Sequence, residues 1–160
     1  LTPSSIVSTH AHADHTGAVA PLVERYDCKF LIGCKDVAAA TEQLDWLKNM
    51  LGDFVEPPVP SGTLRHGNVV IASGVEINVL ATPGHTEGSS SFYISGHVFT
   101  GDTLFRESIG RFDLFGGDEQ KEIASIRNVL FELPEETVVW PGHGPSTSIG
   151  HEKVANRFVR

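Results

Sequence analysis

The hydrophobic positions of this chain change period several times, and the changes mark out its elements. Ile6-Val7-Ser8-Thr9 is a β-branched run that predicts a first strand. Val19, Leu22, Val23 and Tyr26 recur at helical spacing and predict a helix over 17–26. Lys29-Phe30-Leu31-Ile32 reads as a short buried strand ended by Gly33. Val37, Ala40, Leu44, Leu47 and Leu51 form one stripe and predict a second helix over 36–51. Pro57, Pro58 and Pro60 make 52–62 a loop, placed to lie over a site. The period then falls to two. Asn68 to Ala72 and Val75 to Ala81 read as a hairpin turning at Ser73-Gly74, and Ser90 to Ile94 and His97 to Thr100 as another turning at Ser95-Gly96. Residues 101–117 are irregular. Asp118 is placed to cap a helix running to about Leu133, Thr137 to Trp140 is a strand, and a short helix follows near His151 to Phe158. The sum is a mixed α/β domain without repeats.

Four of these strands end in residues that bind metals. The first runs into Thr9-His10-Ala11-His12-Ala13-Asp14-His15-Thr16-Gly17. Alternation lets His10 and His12 share a side, and Asp14 and His15 are expected in the turn before the next helix. Imidazole and carboxylate are ordinary ligands of a borderline metal such as zinc. Later strands lead into Thr82-Pro83-Gly84-His85, Gly101-Asp102 and Pro141-Gly142-His143, each with a glycine ahead of the polar residue. Singly, each is an ordinary turn signal. Together they supply five histidines and two aspartates, a number suited to two metals. His66, His97 and His151 lack this context and read as surface or supporting groups. Ser89 to Ser91 have no triad context and read as the opening of a strand.

Composition narrows the partners. With 160 residues the chain is one domain, and a net charge of -8 argues against nucleic acid or an anionic membrane. An anionic substrate would need local help from a metal or an arginine. Cys28 and Cys34 are the only cysteines; they read as buried free thiols in a reducing, cytoplasmic setting. No apolar run reaches transmembrane length, and no signal-peptide pattern opens the chain. The first residue, Leu1, lies in a strand-like segment and the only methionine is Met50, so a preceding segment is expected.

The order His-x-His-x-Asp-His, Gly-His, Gly-Asp, Gly-His resembles the metallo-β-lactamase superfamily. Within it, Phe99-Thr100-Gly101-Asp102-Thr103-Leu104-Phe105, Ser108-Ile109-Gly110-Arg111 and Pro141 to Gly150 resemble the short bacterial form of glyoxalase II, a hydroxyacylglutathione hydrolase. The resemblance implies an αββα sandwich with a dinuclear site at one edge of its sheets, apparently lacking the N-terminal strands found in relatives. It also implies His10, His12 and His85 on one metal, Asp14, His15 and His143 on the other, and Asp102 bridging. Two divalent ions are expected, zinc foremost, with iron or manganese as alternatives. Longer glyoxalase II enzymes carry a C-terminal helical region that helps bind glutathione, and this chain stops before it.

Two metals about 3.5–4 Å apart share a water as hydroxide, and a thioester suits that nucleophile because a thiol of pKa ~8.5 leaves without a dedicated acid. The expected reaction is hydrolysis of S-(R)-lactoylglutathione or a similar 2-hydroxyacyl thioester, with Asp14 both ligating and orienting the nucleophile. Arg111 is the candidate to meet a substrate carboxylate, its alternative being a loop pair with Asp113; Arg106 is a weaker second. A persulfide dioxygenase would instead hold one iron on His10, His85 and Asp102. An inactive metal-binding remnant is the non-enzymatic reading, and the seven intact ligand positions speak against it.

Overall fold

The computed structural model describes residues 2–41 and 55–160. Three parallel strands form a small sheet in the order β1 (Ser5–Val7), β2 (Lys29–Gly33), β3 (Gly62–Leu64). Parallel neighbours require crossovers. Here α1 (Ala13–Thr16) and α2 (Val19–Tyr26) fill the first, and α3 (Val37–Thr41) begins the second. The predicted helix over 36–51 is present at 37–41, and its remainder lies outside the described residues.

A larger sheet has six strands in the order β11 (Thr147–Ser148), β10 (Val138–Pro141), β7 (His97–Gly101), β6 (Ser90–Ile94), β5 (Val75–Ala81), β4 (Val69–Ala72). Its two hairpins turn where the pattern placed them. Ser73 and Gly74 sit at φ 52° and 83°, and Ser95 and Gly96 at 45° and 82°. Those left-handed pairs match the twist of the flanking strands. A two-stranded ribbon, β8 (Leu104–Phe105) with β9 (Ser108–Ile109), lies inside the stretch read as irregular. α4 (Glu119–Asn128) is capped by Asp118, whose side chain accepts from the Lys121 N–H. The predicted helix stops short of Leu133: Leu130–Glu132 is a 3₁₀ turn. The last helix, α5 (Ile149–Ala155), begins two residues before the predicted start because Ser148 caps it.

Side-chain alternation builds four layers. Ile6, Phe30 and Ile32 pack outward against Val19, Val23, Val37 and Ala40 of the first helices. Val7, Leu31 and Leu64 point inward and meet Val70, Ile77, Val79 and Phe92 of the larger sheet. On the far face of that sheet, Val98 and Val139 pack with Ile126, Leu130 and Ile149. The order is helices, sheet, sheet, helices, as the resemblance implied. Phe99 lies opposite Phe92, and Trp140 opposite Phe99, so both share the inner face. They remain 42% and 43% exposed beyond the edge at β1. A cavity of about 390 Å³ opens there between Val7, Ile77, Phe92, Phe99 and His15. Of the cysteines, Cys28 is buried; Cys34 is only half-buried, because it follows β2 at the rim of the sheet.

The sheets are stitched at the ends that carry the site. The Ser90 N–H donates to the Thr9 carbonyl at 2.8 Å. The buried carboxylate of Asp36, just ahead of α3, accepts from the Ala11 N–H at 2.9 Å, the Gly88 N–H at 2.7 Å and the Thr86 hydroxyl at 2.8 Å.

Two substitutions test this packing. Leu130→Ala is expected to lower unfolding stability by about 2–5 kcal/mol in urea titration, whereas Phe115→Ser should stay within about 0.5 kcal/mol. Phe115 is 90% exposed, so it has little packing to lose. Asp36→Ala leaves the buried Gly88 N–H without its acceptor, at a cost of about 1–3 kcal/mol for that group alone. A variant as stable as wild type would remove Asp36 from the account.

Candidate metal centre

β1 ends at Val7, so His10 and His12 stand in the following loop, not on the strand itself. The loop is held from within. The Ser8 hydroxyl donates to the His10 carbonyl at 2.9 Å, and the Thr9 hydroxyl lies 3.1 Å from His10 Nδ1, which fixes that ring with Nε2 turned inward. The His12 carbonyl accepts from the His15 and Thr16 N–H groups, which starts α1 at Ala13. Asp14 and His15 therefore ride on a helical turn, not in the turn before a helix. The helix predicted over 17–26 follows as α2, beginning at Val19.

Three strand ends of the larger sheet bring the remaining donors. β5 leads through Thr82-Pro83-Gly84 to His85, whose Nδ1 lies 2.7 Å from the Arg111 carbonyl. Its Nε2 is thereby left for the site. β7 and β10 are parallel neighbours, and the Gly142 N–H donates to the Gly101 carbonyl at 2.8 Å. Asp102 and His143, forty-one positions apart in the chain, thus leave adjacent strand ends. A side chain at 142 would place its Cβ 2.3 Å from Asp102 Oδ1 and 2.6 Å from His15 Cε1, so only glycine fits between them.

All seven predicted donors converge. One donor atom each from His10, His12 and His85 lies within 4.8 Å of the others, and so it is for Asp14, His15 and His143. Asp102 stands between the two groups. Its Oδ2 is 3.7 Å from His85 Nε2 and 3.5 Å from His143 Nε2, and its Oδ1 is 3.2 Å from His15 Nε2. His143 Nε2 reaches Asp14 Oδ2 at 3.1 Å. His10 and His85 form a buried floor, whereas Asp14 and His143 are exposed and form the mouth.

The arrangement fits divalent ions on its own terms. His10 Nε2, His15 Nε2 and Asp102 Oδ1 are buried without a hydrogen-bond partner, the last two close but misaligned. Leaving such atoms unpaired costs about 1–3 kcal/mol each, and a shared cation would remove that cost. Burial, then the neighbouring imidazoles, holds His10 far below the usual histidine range and His12 down to about 4, so both stay neutral, the form that ligates. Burial opposes the proton on His15 too, but the Asp102 and Asp14 carboxylates outweigh it and raise the pKa. Burial would raise Asp102, yet His15, His85 and His143 hold it below its ordinary value. Nitrogen and carboxylate donors in this mixture suit zinc, iron or manganese.

The other candidates separate. Arg111 lies on the surface with both arms of its fork on Asp113, at 2.9 and 3.0 Å, while its backbone carbonyl orients His85. Arg106 is exposed. His66 accepts from the Ala81 N–H, His97 accepts from the Trp140 indole and His151 pairs with Glu107, all away from the cluster. Sequence reasoning passed over two carboxylates. Asp36 looked like a helix start, and Glu122 was not singled out, although it is fully buried and accepts from the His85 N–H at 2.8 Å. Burial pushes the Glu122 pKa up to about 8, the bond from His85 opposing only part of that rise. Neither role had a local signal, since the partners lie 25 to 52 positions away.

Known proteins are similar to this chain. The chain is 36% identical to a probable metallo-hydrolase, YqgX, of Bacillus subtilis (strain 168), over 99% of this chain and 77% of that protein. It is 31% identical to the hydroxyacylglutathione hydrolase GloC of Haemophilus influenzae, over 96% of this chain and 74% of that one. Among solved structures, TTHA1623 in a di-iron-bound form superposes with a TM-score of 0.91 at 40% identity, over 99% of this chain and 78% of that one. ETHE1 from Myxococcus xanthus superposes with a TM-score of 0.81 at 34% identity, over 98% and 63%. A profile of the metallo-beta-lactamase superfamily matches residues 1–143, and the chain belongs to that superfamily of metal-binding hydrolase folds.

Proposed function

We propose that the protein is a dinuclear metal-dependent thioester hydrolase acting on S-(R)-lactoylglutathione or a similar 2-hydroxyacyl thioester, giving D-lactate and glutathione in the first case. The observation that carries this reading is the pair of donor groups, His10-His12-His85 and Asp14-His15-His143, with Asp102 between them. A single-iron dioxygenase on His10, His85 and Asp102 would leave Asp14, His15 and His143 converging without a task. The similarity to GloC supports the thioester, and the di-iron-bound neighbour supports a two-ion site.

Two divalent ions, zinc foremost, would supply Lewis acidity toward the carbonyl oxygen and a water of lowered pKa. The protein's part is to hold and aim. His10 and His85 fix the dry floor, while Asp14 and His143 line the open side where the thioester enters. Asp14, whose side chain is 41% exposed at the mouth, would orient a nucleophilic water toward the carbonyl. The thiolate leaves without a protonating residue because its thiol, with a pKa of about 8.5, is acidic enough for the anion to part unassisted. Arg111 exchanges Asp113 for a carboxylate of the glutathione moiety; exposed ion pairs of this kind give little stability and are readily traded. The net charge of -8 makes such local positive groups necessary for an anionic substrate.

Loss of thioester absorbance with S-(R)-lactoylglutathione is expected for zinc-loaded protein. Chelation, or Asp102→Ala, should lower the rate at least about 100-fold. A folded, metal-loaded sample without turnover would sink the thioester reading, and oxygen uptake by an iron-loaded sample would replace it with the dioxygenase. Metal should also stabilise the fold: at free metal 100 times Kd, about 2.7 kcal/mol is expected from linkage. The midpoint of thermal unfolding should therefore fall when a chelator is added.

A further inference from the structure

We infer that Glu122 is a positioning residue for the metal centre, fixing the His85 loop and the Gly110-Arg111 loop against each other from behind. The inference rests on the reading of His85 as a ligand. Glu122 closes the first turn of α4, whose other acidic residue, Glu119, is exposed, yet Glu122 is fully buried. Its Oε2 accepts from the His85 N–H at 2.8 Å, while Oε1 has no hydrogen-bond partner and lies against Gly110.

The approach on both sides admits no side chain. A Cβ at Gly84 would stand 2.3 Å from Glu122 Oε2 and from its Cα, and Gly84 has φ +151°. A Cβ at Gly110 would stand 2.9 Å from Glu122 Oε1 and 1.7 Å from the Asp102 carbonyl. One carboxyl group is thus wedged between the loop that delivers His85 and the loop that follows Asp102. The second of these also presents the Arg111 carbonyl that orients the His85 ring at Nδ1. His85 is therefore fixed twice, at its backbone by Glu122 directly and at its ring through the loop that Glu122 abuts.

Two further bonds join α4 to the same turn but do not touch His85. The Asp118 N–H donates to the Gly84 carbonyl at 2.8 Å, and the Ser125 hydroxyl donates to the Pro83 carbonyl at 2.7 Å. Ser125→Ala is thus a control that loosens the helix from the loop while leaving the Glu122–His85 bond in place. A merely structural role for Glu122 would make its loss resemble the loss of Ser125.

The test is metal affinity by chelator competition, with the absorption spectrum of the cobalt-loaded protein reporting ligand geometry. Glu122→Met keeps the length of the side chain and removes the acceptor. It is expected to weaken one of two bound metals about 10–100-fold and to alter the cobalt spectrum, as loss of a residue that orients a ligand does. Glu122→Gln keeps an acceptor for the His85 N–H and should stay within about threefold of wild type in affinity. Ser125→Ala should leave affinity and spectrum unchanged even where it lowers the melting temperature. Wild-type affinity and spectrum in a folded Glu122→Met protein would overturn the inference, as would equal losses in Glu122→Met and Ser125→Ala. Should Glu122→Met fail to melt cooperatively, the His85 amide proton in zinc-loaded Glu122→Gln decides: a chemical-shift change supports the bond to residue 122, and none overturns it. Metal-free wild type under loading conditions would overturn the ligand reading as well, whereas metal binding without thioester turnover would overturn only the reaction.

Discussion

The active end of this molecule depends on a buried carboxylate that touches no candidate ligand. Asp36 accepts bonds from Ala11, in the histidine loop of the small sheet, and from Thr86 and Gly88, in the β5–β6 loop of the large one. Burial raises its pKa and the three bonds offset part of that rise, so the group is kept where it is by its partners and not by solvent. The apolar contacts between the sheets are non-directional, and this stitch, together with the Ser90–Thr9 backbone bond, adds the direction they lack. A metal site needs its donors fixed within about half an ångström, and directional bonds supply that where apolar packing does not.

Around that stitch the site divides into a rigid floor and an open mouth. His10 and His85 are buried, and their rings are set by Thr9 and by the Arg111 carbonyl. Asp14 and His143 are exposed, joined to each other at 3.1 Å. The division suits a metal-binding hydrolase fold: the floor is kept from solvent, and the mouth leaves an open side.

The clusters of apolar residues show how the fold presents these loops. Strands whose odd and even residues serve different layers leave only their ends free for chemistry. β5, β7 and β10 each end on the same side as β1, and the parallel pairing of β7 with β10 puts Asp102 beside His143. The ribbon at 104–109 then carries the chain to Gly110 and Arg111, behind His85. Its position is held by the buried Glu152, which accepts from the Glu107 N–H at 2.9 Å and from the Thr147 hydroxyl at 2.6 Å.

The sequence by itself determined the donors, because metal chemistry demands particular side chains and strand ends demand turns, and both are written locally. The cluster His10-His12-Asp14-His15 in one short stretch, and a glycine before each of His85, Asp102 and His143, were legible without coordinates. So were the two hairpins, whose Ser-Gly turns require left-handed backbone. Other features were decided only by the tertiary structure. The helical turn of α1, where a plain turn was expected, depends on where the His12 carbonyl finds its donors, and the ribbon at 104–109 is too short to show a period. For Arg111 the sequence offered a substrate carboxylate or Asp113; the fold gives its side chain to Asp113 and its carbonyl to His85. Asp36 and Glu122 were invisible as organisers because a buried carboxylate is defined by the N–H groups that reach it. Those groups come from 25 to 52 residues away, a distance that only the packing of two sheets and a helix can close.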